Sequence, residues 1–139
     1  MKQRSIPEQY FAALGADDVG GAVALLAPNA EFSTPAGSVP VPDGARAVLD
    51  GYVRAFPGNR FEVTRSVVSG GEVAVEGVWV GKHTGSLSMP DGSSVQPTGR
   101  MLRVPYVTMF SVAADRIVSH RAYWDMASFL GQLGQLWIP

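Results

Sequence analysis

Asp125 and His83 are the side chains whose types and settings best suit proton transfer. Asp125 ends a run that alternates Ile117, Ser119, Arg121, Tyr123 and Asp125 on one face with Val118, His120, Ala122 and Trp124 on the other. Its neighbours Trp124 and Met126 are apolar. A carboxyl group in apolar surroundings has its charged form disfavoured, and becomes a general acid or base near neutral pH. The competing role is a helix cap, since aspartate is a preferred capping residue and sits where a helix from Met126 would begin. His83 closes another apolar run, before Thr84-Gly85. It can share proton transfer or donate to a developing oxyanion, or it can be a surface histidine at a strand end. His120 alternates with Ser119 and Arg121, and is expected to face the outside of the sheet or a partner subunit.

Further polar and aromatic residues fall on or beside the same apolar segments. A polar group on the buried face of a strand must be paired or must face a wet cavity, so several together suggest a cavity built for a ligand. Tyr106 and Tyr123 are candidate hydrogen-bond donors to a substrate oxygen, with a partly buried, satisfied tyrosine as the plainer role for each. Trp79 and Phe110 are candidate pocket walls, with core packing as the alternative. Arg100 follows a Pro-Thr-Gly turn and either orients a ligand or serves the loop alone. Glu76 shares parity with Glu72, Ala74 and Val78, which favours the solvent face. No metal site is expected, because only two histidines occur and they stand 37 positions apart. There is no glycine-rich phosphate loop and no Gly-x-Ser-x-Gly elbow.

The bulk composition narrows the class. The 139 residues favour one domain spanning 1–139, large enough for a real core. Eleven Lys and Arg against twelve Asp and Glu leave no basic excess for nucleic acid. No apolar run approaches a membrane span. Met1-Lys2-Gln3-Arg4 is basic but is followed by Pro7, Glu8 and Gln9 instead of an apolar signal core, so a soluble, cytoplasmic protein is expected. With no cysteine, disulfides, thiol chemistry and zinc-thiolate sites are excluded.

The elements that must position these residues change period midway. Ser5-Ile6-Pro7-Glu8 starts a helix with a capping-box pattern, and Tyr10, Phe11 and Leu14 form its apolar stripe up to Gly15. Asp17 opens a second helix, with Val19, Val23, Leu25 and Leu26 apolar, that ends at Pro28-Asn29. Phe32 to Pro42 is expected to be irregular because of four prolines and glycines. Asp43 caps a third helix carrying Val48, Leu49, Tyr52, Val53 and Phe56. From Phe61 the pattern is strand-like. Strands are expected over 61–69, 72–82, 100–112 and 116–124, with turns at Gly70-Gly71 and Ala114-Asp115, a surface loop at Pro90-Asp91-Gly92-Ser93, and a closing helix over 126–133. Helices first and about four antiparallel strands after them indicate α+β.

The chain resembles the SnoaL-like polyketide cyclases, or ester cyclases, of the nuclear-transport-factor-2-like superfamily. The residues that carry the resemblance are Gly81-Lys82-His83-Thr84-Gly85, Pro97-Thr98-Gly99-Arg100, and Tyr123-Trp124-Asp125 followed by Gln132-Leu133-Gly134. The element order agrees over the whole chain, and the motifs cover about residues 77 to 134. The resemblance implies a cone-shaped, curved antiparallel or mixed sheet wrapped around N-terminal helices, usually a homodimer joined through its sheets. It also implies a deep pocket open at one end and no cofactor. In the family's cyclases an aspartate near the end of the last strand acts as general acid and base in an intramolecular aldol closure, and Asp125 matches that position. His83 matches a position near the pocket. Gly77, where family members often carry larger residues, and the compact segment from Pro35 to Pro42 depart from the family and bear on pocket shape.

Three classes of function follow. The first is a cofactor-free enzyme that closes a polyketide-like or cyclic carbonyl substrate, with isomerases, dehydratases and hydrolases as alternatives on the same fold. The second is a non-catalytic module that binds a hydrophobic small molecule. The third is an interaction domain that uses the sheet face.

Overall fold

The computed structural model describes residues 5–89 and 91–135, so Met1 to Arg4 and Pro90 of the expected loop lie outside the described residues. Helix α1 (Ile6–Gly15) starts as its sequence dictates: the Ser5 hydroxyl accepts the Glu8 N–H at 3.2 Å and Pro7 occupies the first turn. Its stripe of Tyr10, Phe11 and Leu14 is buried. Helix α2 (Val19–Val23) is shorter than expected and is capped by Asp18, not Asp17. Asp17 takes a left-handed backbone (φ 59°), and its carboxylate accepts the Gly58 N–H at 3.0 Å, tying this corner to the end of the third helix. Helix α3 (Asp43–Ala55) has Asp43 in its first turn and not as its cap, and no side-chain cap bond is made among the described residues.

The segment before α3 corrects the expectation of irregular chain. Leu26–Thr34 forms strand β1 and Gly37–Ser38 a short β2. Pro28 and Asn29 mask the strand because they sit in an irregularity between the paired residues Leu26 and Glu31, where a missing N–H breaks no ladder bond. Strands β3 (Arg60–Ser69), β4 (Glu72–Lys82), β7 (Met101–Ala113) and β8 (Arg116–Trp124) follow the period-2 pattern closely. The pairs β5 (Leu87–Ser88) and β6 (Ser94–Val95) form a separate small hairpin, and α4 (Met126–Gln132) closes the described chain.

The main sheet has the order β2-β1-β8-β7-β4-β3. It is antiparallel except for β1, which runs parallel to β8, so the sheet is mixed. Helices α1 to α3 cover one face, and their stripes meet Phe32, Val75, Phe110 and Ile117 in the larger core. Full burial of such side chains contributes about 2 kcal/mol each. A smaller core lies under α4, where Phe129 and Leu133 pack on Phe56 and Leu102. No helix among the described residues is long and apolar enough to cross a membrane.

Candidate active site

Between α1, α3 and the concave sheet face lies an open cavity. Phe11, Phe32, Leu49, Val53, Phe61 and Val104 make its walls largely apolar. Alternation along β7 sends Val104, Tyr106 and Thr108 inward, and β8 contributes His120, Ala122 and Trp124.

His120 is the most informative lining residue. Its ring lies flat on Phe32 (4.2 Å between centroids, 4° between planes) and its Nε2 stands 3.2 Å from the Tyr10 hydroxyl. Burial pushes the imidazole down to about 4, while backbone groups of His120 itself and of Ser33 act more weakly the other way. Burial also drives the Tyr10 phenol far above its usual value. Both groups are therefore neutral at physiological pH. The expectation that His120 faces outward is corrected. Its face also carries Ala122 and Trp124, more apolar than Ser119, Arg121 and Tyr123, and that contrast was the available signal. A bulge at Val118, where Val112 pairs with Ile117 but Ser111 with Ser119, reverses the alternation and lets Ile117 be buried as well.

Tyr106 lines the cavity as expected. Its register partner on β4 is Gly77, and a Cβ there would lie 2.9 Å from the Tyr106 hydroxyl. The absent side chain leaves a notch in which the tyrosine lies. The hydroxyl is buried without a hydrogen-bond partner among the described residues, and burial pushes the phenol up to about 12. Trp79 also lines the cavity, held by its indole N–H donating to Asn59 Oδ1 at 3.1 Å. Asn59 in turn donates to the Phe56 carbonyl at 3.2 Å, so its amide is committed to structure.

The remaining expected site residues stand elsewhere. Asp125 is exposed and caps α4, its carboxylate accepting the N–H groups of Ala127 at 2.9 Å and Ser128 at 3.2 Å. The capping role open in the sequence is the one the structure has, and the expected apolar setting is absent because the chain leaves the sheet at Trp124. His83 is neither a surface residue nor a cavity residue. It is fully buried beside Phe56, with Nδ1 accepting the Thr98 N–H at 3.1 Å, and it pins the 97–100 turn to the end of β4. Burial lowers its basicity. Arg100 is exposed and donates to the Gln132 carbonyl at 3.1 Å, holding the end of α4. Tyr123 lies on the convex face, 54% exposed, because β8 alternation turns it away from the cavity. Phe110 is too deep to line the cavity and packs edge-on behind Tyr10 and Phe11. Glu76 is exposed as expected, 3.8 Å from Arg65. Among the described residues no cluster of three or more histidine, aspartate or glutamate side chains is arranged to hold a metal.

A family model described as the SnoaL-like domain matches residues 8–120. No curated protein matches the chain. Among solved structures, the chain is similar to IdmH from Streptomyces antibioticus, described as a candidate polyketide cyclase. The two are 28% identical over 93% of this chain and 96% of that one, with a TM-score of 0.72. A candidate SnoaL-like polyketide cyclase from Jannaschia sp. CCS1 is 21% identical, with 98% and 99% of the chains covered and a TM-score of 0.80. AclR from Streptomyces galilaeus, described as a candidate hydroxylase, is 22% identical, with 96% and 85% covered and a TM-score of 0.80.

Proposed function

The chain belongs to the SnoaL-like domain family, with its nuclear-transport-factor-2-like fold, and we propose that it turns over a mostly apolar, polyketide-like carbonyl compound inside its cavity, by an aldol-type ring closure that calls on no cofactor. The observation that carries this reading is the cavity itself: apolar walls, with a buried Tyr106 hydroxyl that has no hydrogen-bond partner among the described residues and a buried Tyr10–His120 contact. Apolar surface accounts for affinity, and a few fixed polar groups account for orientation. The description of IdmH and of the Jannaschia protein as candidate polyketide cyclases supports the same chemistry.

The reaction suits a site with few ionisable groups. A methylene between two carbonyls loses its proton readily, the enolate carbon attacks a second carbonyl held close by, and the new alkoxide takes up a proton. One C–C bond forms and the composition is unchanged. Holding the two reacting carbons in contact supplies much of the rate. Hydrogen bonds from neutral donors such as Tyr106 stabilise the enolate and alkoxide oxygens as charge develops.

The test is ring closure of aromatic 1,3-dicarbonyl compounds bearing a pendant ketone, followed by absorbance. Closure accelerated by the protein and slowed in Tyr106→Phe is expected. Binding without turnover sinks the enzyme reading. That outcome would favour the second reading, a non-catalytic binding module, for which the specific observation is that no carboxylate among the described residues lines the cavity.

The convex sheet face fits a homodimer. Register places Val67, Ala74, Val78, Val107, Met109 and Tyr123 on that face, between the ion pairs Arg103–Glu62 and Arg121–Glu31. An apolar strip with a charged rim is the usual composition of such an interface.

A further inference from the structure

Resting on the reading of the cavity as a carbonyl-processing site, we infer that Tyr10 and His120 are its proton-transfer pair: the Tyr10 oxygen takes the proton from the substrate methylene while its own phenolic proton passes to His120 Nε2.

The geometry supports this pair over the two residues first suggested by sequence. Asp125 is spent on the α4 cap and His83 on the 97–100 turn, and neither lines the cavity. Tyr10 and His120 both line it, and their polar atoms are within 3.2 Å. Each comes from a rigid element, α1 and the centre of β8, and each is held on several sides. Tyr10 packs edge-on against Phe11 and Phe110, while His120 is stacked on Phe32 and flanked by Phe110. A site built on packed elements keeps reacting groups in place better than one built on loops.

The proton inventory works in one tautomer. With the ring proton on Nδ1, which has no hydrogen-bond partner among the described residues, Nε2 is an acceptor and Tyr10 donates to it, so the lone pairs of the Tyr10 oxygen are left for the substrate proton. Proton removal then moves two protons together. The C–H proton goes to the Tyr10 oxygen, the O–H proton goes to Nε2, and an imidazolium is left beside an enolate. The enolate attacks the second carbonyl, and the alkoxide that forms takes a proton from Tyr10 as Nε2 returns one. Every group ends as it began. A buried neutral imidazole is a weak base in the empty cavity. An adjacent enolate offsets that by favouring the charged ring. Tyr10 touches substrate and is catalytic in this scheme; His120 acts through it and is a positioning and proton-holding residue.

The test uses 2-tetralone, an apolar bicyclic ketone with an acidic methylene, in deuterated buffer. Binding is read from the change in tryptophan fluorescence, since Trp79 and Trp124 line the cavity, and exchange of the methylene protons by proton NMR. The wild-type protein is expected to accelerate exchange. Tyr10→Phe and His120→Gln are expected still to bind 2-tetralone and to lose about a hundredfold in exchange rate, a loss far larger than any change in affinity. Thermal melts establish that both variants are folded, and Tyr10→Phe keeps the ring packing. Exchange that persists in either folded variant overturns the assignment while leaving the cavity reading intact. Binding without exchange in the wild-type protein overturns the assignment together with the enzyme reading. No binding at all removes the cavity reading on which both rest.

Discussion

His120 couples the site to stability through its charge. In an unfolded chain an imidazole titrates near 6.5, whereas burial holds the folded ring down to about 4. Between those values the unfolded state binds a proton that the folded state refuses, so stability rises with pH across the window and is lost on acidification from about 6.5 towards 4. The slope from this residue reaches about 1.4 kcal/mol per pH unit at most. His83, also lowered by burial, acts in the same direction. Urea denaturation at pH 7, 5.5 and 4.5 should show stability falling as the pH is lowered, with a shallower fall in His120→Phe; an identical slope in that variant would mean that the folded ring takes up its proton as readily as the unfolded one. Tyr106 and Trp79 were legible as cavity residues because tyrosine and tryptophan inside valine-rich strands need a reason. Tyr10 was legible only as part of a helical stripe, since a hydroxyl's partner 110 residues away leaves no local trace.

The elements around the site depend on a few local features. Asp125 at the start of α4 satisfies two helix N–H groups, so Asp125→Ala should cost about 1 kcal/mol by chemical denaturation while turnover in the cavity is retained. A large loss of turnover in a fully folded Asp125→Ala protein would return the carboxylate to the chemistry. Gly77 is the second such feature. A Cβ at that position would collide with the Glu62 carbonyl oxygen and crowd Tyr106, so Gly77→Ala forces β3 and β4 apart. It should lower stability by roughly 1–3 kcal/mol and weaken ligand binding by displacing Tyr106, measured by thermal melt and by tryptophan quenching. The boundaries of β4 and β8 match their sequence patterns because strict alternation between turn residues is a local signal. The end of α2 and the start of β1 were not legible. Leu25 and Leu26 extend a helical stripe on paper, and only pairing with β8 turns Leu26 into a strand residue.

At the scale of the whole molecule, the sheet separates two faces with different tasks. The concave face holds the cavity. The convex face carries half-exposed Val67 and Tyr123, which a monomer would leave in water. Sedimentation should give a dimer at micromolar concentration, and the double variant Val107→Glu, Tyr123→Glu should give a folded monomer; a wild-type monomer would rule out this interface. The sequence by itself determined the α+β order, most element boundaries, the absence of thiol chemistry from a chain without cysteine, and the family, because composition, period and short motifs express local free energies. Only the tertiary structure decided which face of β8 is inside, that Asp125 and His83 serve a cap and a turn, and that Tyr10 meets His120. Those outcomes depend on the Val118 bulge, the parallel docking of β1 and the approach of α1, which bring distant residues together at energies no local pattern encodes.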